Sequence, residues 1–185
     1  MVGFGSEVDQ HKIKSIDMDD IKLTCSQQNV FDKLCHFVDS DEDRVFILKG
    51  YAGTGKTTLM RFLVQKLNEA DKRYELLAST GRASKVLSNL SGQNAKTIHS
   101  MIYSFKDLNQ DLTDIDDKVD HSGQLLLMFE PTEINYNMLP ETVYIIDEAS
   151  MISDVVDKLV TQAKFGTGRL LQELLNYDVR MGSKF

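Results

Sequence analysis

Val45-Phe46-Ile47-Leu48-Lys49-Gly50-Tyr51-Ala52-Gly53-Thr54-Gly55-Lys56-Thr57-Thr58 is the stretch whose reading decides the fold. Four apolar residues, read as a short buried strand, run into a loop with three glycines. The loop opens a segment with helical periodicity at Leu59, Phe62, Leu63 and Leu67. Gly50–Thr57 fits G-x-x-x-x-G-K-[ST], set between strand and helix. Glycines let successive backbone N–H groups turn inward around an anion without Cβ clashes. A helix starting at Lys56 adds the positive end of its dipole. Such a loop binds the phosphates of a nucleoside triphosphate. Lys56 is expected to reach the β and γ phosphates, and the Thr57 hydroxyl to ligate Mg²⁺. The contact set read from the loop is Gly50, Tyr51, Ala52, Gly53, Thr54, Gly55, Lys56, Thr57 and Thr58.

A second apolar run, Val143–Ile146, ends in Asp147-Glu148. In α/β sheets ligands bind at the carboxyl edge of the strands, so two carboxylates there complement the loop. Asp147 is expected to hold Mg²⁺ opposite Thr57, and Glu148 to act as the base that orients an attacking water. Taken alone, an Asp-Glu pair after a strand is commonly a surface cap; the loop upstream gives it chemical meaning. Lys56, Asp147 and Glu148 form the expected catalytic set.

The remaining elements are laid out around these two. Leu23-Thr24 and then Ser26–Val38 predict a capped amphipathic helix with Val30, Phe31, Leu34, Phe37 and Val38 on its apolar face. Tyr74–Ser79 predicts a strand, and Arg82–Leu90 a helix closed by Ser91-Gly92. Thr97–Tyr103 predicts a short helix, and Val155–Lys164 and Arg169–Leu175 two more. Strands alternating with helices predict right-handed βαβ units, hence an α/β fold around a mainly parallel sheet. Met1–Asp20 is polar and expected to be flexible, and residues 105–140 read as an insertion with a strand-like Gln124–Phe129.

Composition bounds the reading. The chain has 185 residues, enough for one domain of 21–185 with a proper core. No apolar run is long enough to span a bilayer, the N-terminus is no signal peptide, and the cytoplasm is the expected compartment. Cys25 and Cys35 lack metal-ligand spacing and read as reduced thiols. The net charge of −7 argues against nucleic acid until it is divided along the chain. Residues 49–107 hold ten basic and four acidic side chains, a local field suited to phosphates. The same lysines also suit a solvated helix face.

Gly50–Thr57 together with Asp147-Glu148-Ala149-Ser150 resembles the superfamily 1 DNA helicases, in particular their RecD-like and Dda-like branch. Three further segments agree, in family order over residues 23–152. Leu23-Thr24 with Gln27 looks like the L-T-x-x-Q motif, which implies an amide reading the adenine edge; Gln28 is the alternative register. Ala78–Ser84 (A-S-T-G-R-A-S) is similar to the segment lying along single-stranded DNA, and Ala95–Ser100 (A-K-T-I-H-S) to the T-I-H segment on the same side. By resemblance the DNA-binding residues are Thr80, Arg82, Lys85, Thr97 and His99. The competing readings are a helix N-terminus with solvated charges for Thr80, Arg82 and Lys85, and a packed core histidine for His99. The family usually has Pro where Ser79 stands. Its insertion after T-I-H forms a pin that splits duplexes, so 105–140 is expected to be either a wedge or a packed hairpin.

The resemblance implies a P-loop NTPase of the RecA-like type: three layers, a small inserted hairpin region, ATP and Mg²⁺ as cofactors, and single-stranded DNA as partner. It also implies a G-D-x-x-Q strand and a second RecA-like domain that the 185 residues do not contain. The chain is therefore expected to bind ATP·Mg²⁺ weakly, hydrolyse it barely, not unwind DNA, and self-associate through uncovered apolar surface. An AAA+-type ATPase acting on nucleic acid and a non-catalytic nucleotide- or DNA-binding fragment are the alternatives.

Overall fold

The computed structural model describes residues 21–105, 127–132, 141–156, 163–178 and 183–185. The expectations for Met1–Asp20 and for most of the insertion lie outside them. Helix α1 (Cys25–Asp39) starts where Thr24 caps it: Thr24 Oγ1 accepts from Gln27 N, and the Gln27 side chain accepts from Thr24 N. This reciprocal capping box satisfies two of the amide donors that a helix start leaves over. Helix α2 (Lys56–Glu69) follows the glycine loop, with Leu59, Leu63, Val64 and Leu67 buried along one stripe. Strand β1 (Arg73–Ala78) leads through Thr80, the N-cap, into α3 (Gly81–Ser91). Gly92, at φ 68°, closes that helix in the left-handed conformation glycine adopts without strain.

Then come β2 (Ala95–Thr97), the five-residue α4 (Ile98–Ile102) and β3 (Tyr103–Phe105). The predicted helix over Thr97–Tyr103 is thus trimmed at both ends by strands, since Thr97 and Tyr103 each find a neighbouring strand to pair with. Strand β4 (Leu127–Pro131) runs antiparallel to β3, as a hairpin-like insertion would. Strand β5 (Thr142–Asp147) passes into a 3₁₀ turn at Ala149–Met151. Strand β6 (Ala163–Phe165) and helix α5 (Leu170–Tyr177) follow.

The main sheet has the order β2-β1-β5, all parallel. Alternation along its strands sends neighbours to opposite faces. Leu76, Val143 and Ile145 join Leu34, Leu63, Val64, Leu67 and Leu87 from the helices on one face. Leu77 and Tyr144 join Ile98, Ile102, Tyr103, Leu174 and Phe185 on the other. Helices thus cover both faces, giving an α/β three-layer arrangement around a parallel sheet, the P-loop NTPase class expected from the sequence. A second sheet, β3-β4-β6, lies beside the second of these cores, where the Phe129 and Phe165 rings stack at 4.6 Å between centroids.

Two sequence expectations are corrected. Val45–Leu48 is not a strand: Val45 is 48 % and Ile47 72 % exposed. A strand exists through its ladder, and among the described residues only Arg44 O and Phe46 N are engaged, both by Phe185. Ser183–Phe185 in turn pairs with β5 through a parallel bridge at Val143 and Lys184. One strand-wide segment therefore separates the approach to the glycine loop from β5. The helix expected over Val155–Lys164 is also absent from the described part. Ser153 Oγ bonds the backbone N and O of Val155 in a local turn. Ala163–Phe165 pairs in parallel with Leu127–Phe129 instead, because a strand lets Phe165 stack on Phe129.

Candidate functional site

Built from the loop outward, the site begins with two glycines in left-handed backbone, Gly53 (φ 79°) and Gly55 (φ 88°). Only glycine accepts these angles cheaply, and they let the chain reverse before α2. A Cβ on Gly50 would stand 2.7 Å from Thr54 Oγ1, and one on Gly55 would collide with Gln27 Nε2. Thr54 Oγ1 donates to Tyr51 O at 2.8 Å, closing the loop on itself. Gly55 caps α2 without any side-chain hydrogen bond, so the first-turn amides of this 14-residue helix are not taken by a side-chain cap. Lys56 Nζ lies over the loop, donating to Gly50 O at 2.7 Å and Tyr51 O at 3.0 Å.

A backbone turn tight enough to exclude Cβ atoms, helix amides open to an anion, and a flexible ammonium at the mouth are the donor set that a triphosphate fits. Thr57, on the first turn of α2, is the hydroxyl that would hold Mg²⁺, and Tyr51 in the loop is 89 % exposed. Gln27, not Gln28, faces the loop: its Nε2 donates to Thr54 O at 3.2 Å. The Gln28 amide is instead turned to Asp32 one helical turn on, at 2.8 Å.

Register places the carboxylates. Ala78 is level with Asp147 on one side and with Thr97 on the other. The carboxyl ends of β1, β2 and β5 thus form one edge, with Thr80 two residues beyond it. The hydrogen bonds of Phe185 to Arg44 and Phe46 have the parallel pattern, so residues 44–46 run toward that edge too. Asp147 Oδ1 accepts from Glu148 N at 2.9 Å. Glu148 itself has φ 54° and ψ 39°, left-handed backbone that a residue with a Cβ adopts at a cost. Nothing in the Asp-Glu dipeptide signals this strain; it belongs to the turn leaving β5.

The remaining predicted residues serve structure as well. The Thr80 and Thr97 hydroxyls cap α3 and α4, accepting from Ala83 N at 3.2 Å and Ser100 N at 3.0 Å. Arg82 and Lys85 are exposed and make no ion pair among the described residues, whereas Lys96 pairs with Glu75 at 3.1 Å. His99 is half-buried, its ring 4.9 Å from that of Phe165 and 5.7 Å from that of Tyr103, and burial pushes its pKa down. It is therefore a packed imidazole that burial biases toward its neutral form. Ser79, which the sequence flagged only as a departure, has a buried hydroxyl without a partner among the described residues. Cys25 is exposed and Cys35 half-buried, both as free thiols. A cavity of about 220 Å³ between α1 and residues 42–46 is lined by none of the predicted site residues.

Comparison with known proteins accounts for this constellation. A family described as an AAA domain matches residues 22–170, from the capping box to the start of α5. The chain belongs to that family. It is also similar to the ATP-dependent DNA helicase dda of Enterobacteria phage T4, 41% identical over 81 residues. That alignment covers 43% of this chain and 18% of the relative. The two matches bear out the resemblance drawn from the five motifs: an AAA-family domain similar over part of its length to the Dda helicase. Among the described residues no helix is long and apolar enough to cross a membrane.

Proposed function

We propose that residues 21–185 form the N-terminal, RecA-like part of an ATP-driven motor that travels on single-stranded DNA and separates duplexes. Residues 1–20 would be an appended segment and 105–140 an insertion. The observation that carries this reading is the shared edge: Asp147, Thr97 and the Thr80 turn lie at the carboxyl ends of adjacent parallel strands. Nucleotide chemistry and DNA contact on one sheet edge are what coupling requires. An AAA+-type ATPase would share the loop and the acidic pair but has no need of the T-G-R-A and T-I-H segments there.

In this reading the loop amides and Lys56 bind the phosphates, and Thr57 and Asp147 would hold Mg²⁺, which when bound would supply charge neutralisation. Asp147 also fixes the Glu148 amide. Glu148, held by its turn, accepts the proton of the attacking water. Thr80, Arg82, Lys85, Thr97 and His99 line the strand, the two cations through phosphates and His99 as a neutral ring. In this reading a second RecA-like domain would complete the ATP site.

The test is binding of fluorescent ATP·Mg²⁺ and of a labelled single-stranded oligonucleotide across a salt series. Lys56→Ala should abolish nucleotide binding and any effect of nucleotide on DNA affinity. Arg82→Ala with Lys85→Ala should weaken DNA binding and flatten the salt dependence by about one to two ions. DNA affinity unmoved by nucleotide in the unmodified protein would favour the non-catalytic fragment instead.

A further inference from the structure

We propose that Gln27 is a positioning residue for the phosphate loop, acting on the backbone of Thr54-Gly55 and so on the affinity for any triphosphate, whatever its base. The inference rests on the nucleotide-binding reading of the loop. Its starting point is the amide itself. Gln27 Oε1 accepts from Thr24 N at 3.0 Å, and Nε2 donates to Thr54 O at 3.2 Å. A backbone N–H demands the oxygen on one side and a carbonyl demands the nitrogen on the other, so only one orientation of the amide satisfies both. The side chain is thereby locked between the start of α1 and the turn that opens α2.

What the lock fixes follows from peptide planarity. Thr54 C=O and Gly55 N–H belong to one trans peptide and point in opposite directions. Holding Thr54 O on the Gln27 side therefore directs Gly55 N–H to the other side. This peptide immediately precedes Lys56, in a loop whose function depends on which way its amides face. Gly55 is permissive by nature, with φ at 88°, so its peptide needs an external restraint. The missing Cβ has a second use here: one would collide with Gln27 Nε2, so glycine is what admits the restraint. Edge-to-face contact of the Phe31 and Phe62 rings, 6.0 Å apart, holds α1 against α2 and keeps the reach of Gln27 constant.

Glutamate at this position separates the two duties of the side chain. Gln27→Glu still accepts from Thr24 N, because Glu serves a capping box as well as Gln, but it has no donor for Thr54 O. The experiment measures melting temperature and Mg²⁺-dependent binding of ATP, GTP and inorganic tripolyphosphate. The unmodified chain, Gln27→Glu, Thr24→Ala and Lys56→Ala are compared. Gln27→Glu should melt no more than about 4 °C below the unmodified chain and bind all three ligands about tenfold more weakly, the loss expected for one hydrogen bond plus carboxylate–carbonyl repulsion. Thr24→Ala should lower the melting temperature by about 2–4 °C, the loss of one cap. A loss confined to ATP would overturn the proposal in favour of adenine reading, and unchanged affinity for all three would overturn it outright. If the unmodified chain binds none of them and Lys56→Ala changes nothing, the nucleotide reading itself fails and takes this one with it.

Discussion

Glu148 combines an expected chemical role with a backbone that resists it. Its φ of 54° and ψ of 39° place an L-residue in the left-handed region. A residue with a Cβ held there gives up roughly 1–2 kcal/mol relative to ordinary backbone. Replacing Glu148 by Gly removes that strain but enlarges the freedom of the unfolded chain, a loss of about 0.4–1 kcal/mol. The net expectation is a gain of about 0.5–1 kcal/mol, or ~1–4 °C in melting temperature for a domain of this size. Because the side chain is exposed, no core packing confuses the comparison. Glu148→Ala serves as reference, since it deletes the carboxylate yet keeps the Cβ and the strain. Thermal unfolding by circular dichroism should therefore rank Gly above Ala, with Ala close to the unmodified chain. Any ATP hydrolysis should fall in both variants while nucleotide binding persists. If Gly is no more stable than Ala at this position, the strain argument is wrong. If hydrolysis survives both, Glu148 is not the base.

Two other predictions concern stability. Leu67 is completely buried in the core shared by α1, α2, β1 and β5, so Leu67→Ala should cost about 2–5 kcal/mol, read as a lowered urea midpoint with nearly unchanged slope. Glu173 links pH to folding. Burial pushes its carboxyl up, but hydrogen bonds from Tyr103 Oη, Thr167 N and Thr167 Oγ1 outweigh this and hold it below the ordinary glutamate value. With the folded value depressed, the unfolded state binds more protons as acid is added. The stabilisation is complete above the unfolded value and is lost as pH falls through the folded one. Melting temperature followed from neutral pH into that range should decline less steeply for Glu173→Gln than for the unmodified chain, and an identical slope would remove Glu173 from the account.

Local rules made much of the chain legible before any coordinates. The glycine loop, the Thr24 cap, the Gly92 stop and the strands at Tyr74–Ser79 and Val143–Ile146 are matters of a few residues of backbone, and each appears within a residue of where the pattern put it. The five motifs were legible for the same reason, as was the family they resemble.

What needed tertiary structure was everything that depends on a partner remote in the chain. Val45–Leu48 has the composition of a strand but no ladder beyond the bonds Phe185 makes. Ala163–Phe165 becomes a strand because Leu127–Phe129 lies beside it, a pairing no period of apolar residues announces. The resemblance assigned Gln27 to a base, and the fold adds a contact of its amide with Thr54, 27 residues away. By itself the sequence determined that a glycine loop before a helix and a carboxylate pair after a strand exist, since backbone sterics and side-chain chemistry are written locally. Only the fold decided that Ala78, Thr97 and Asp147 share one edge and that Glu148 is strained beside it, because strand register and turn geometry are properties of assembled neighbours.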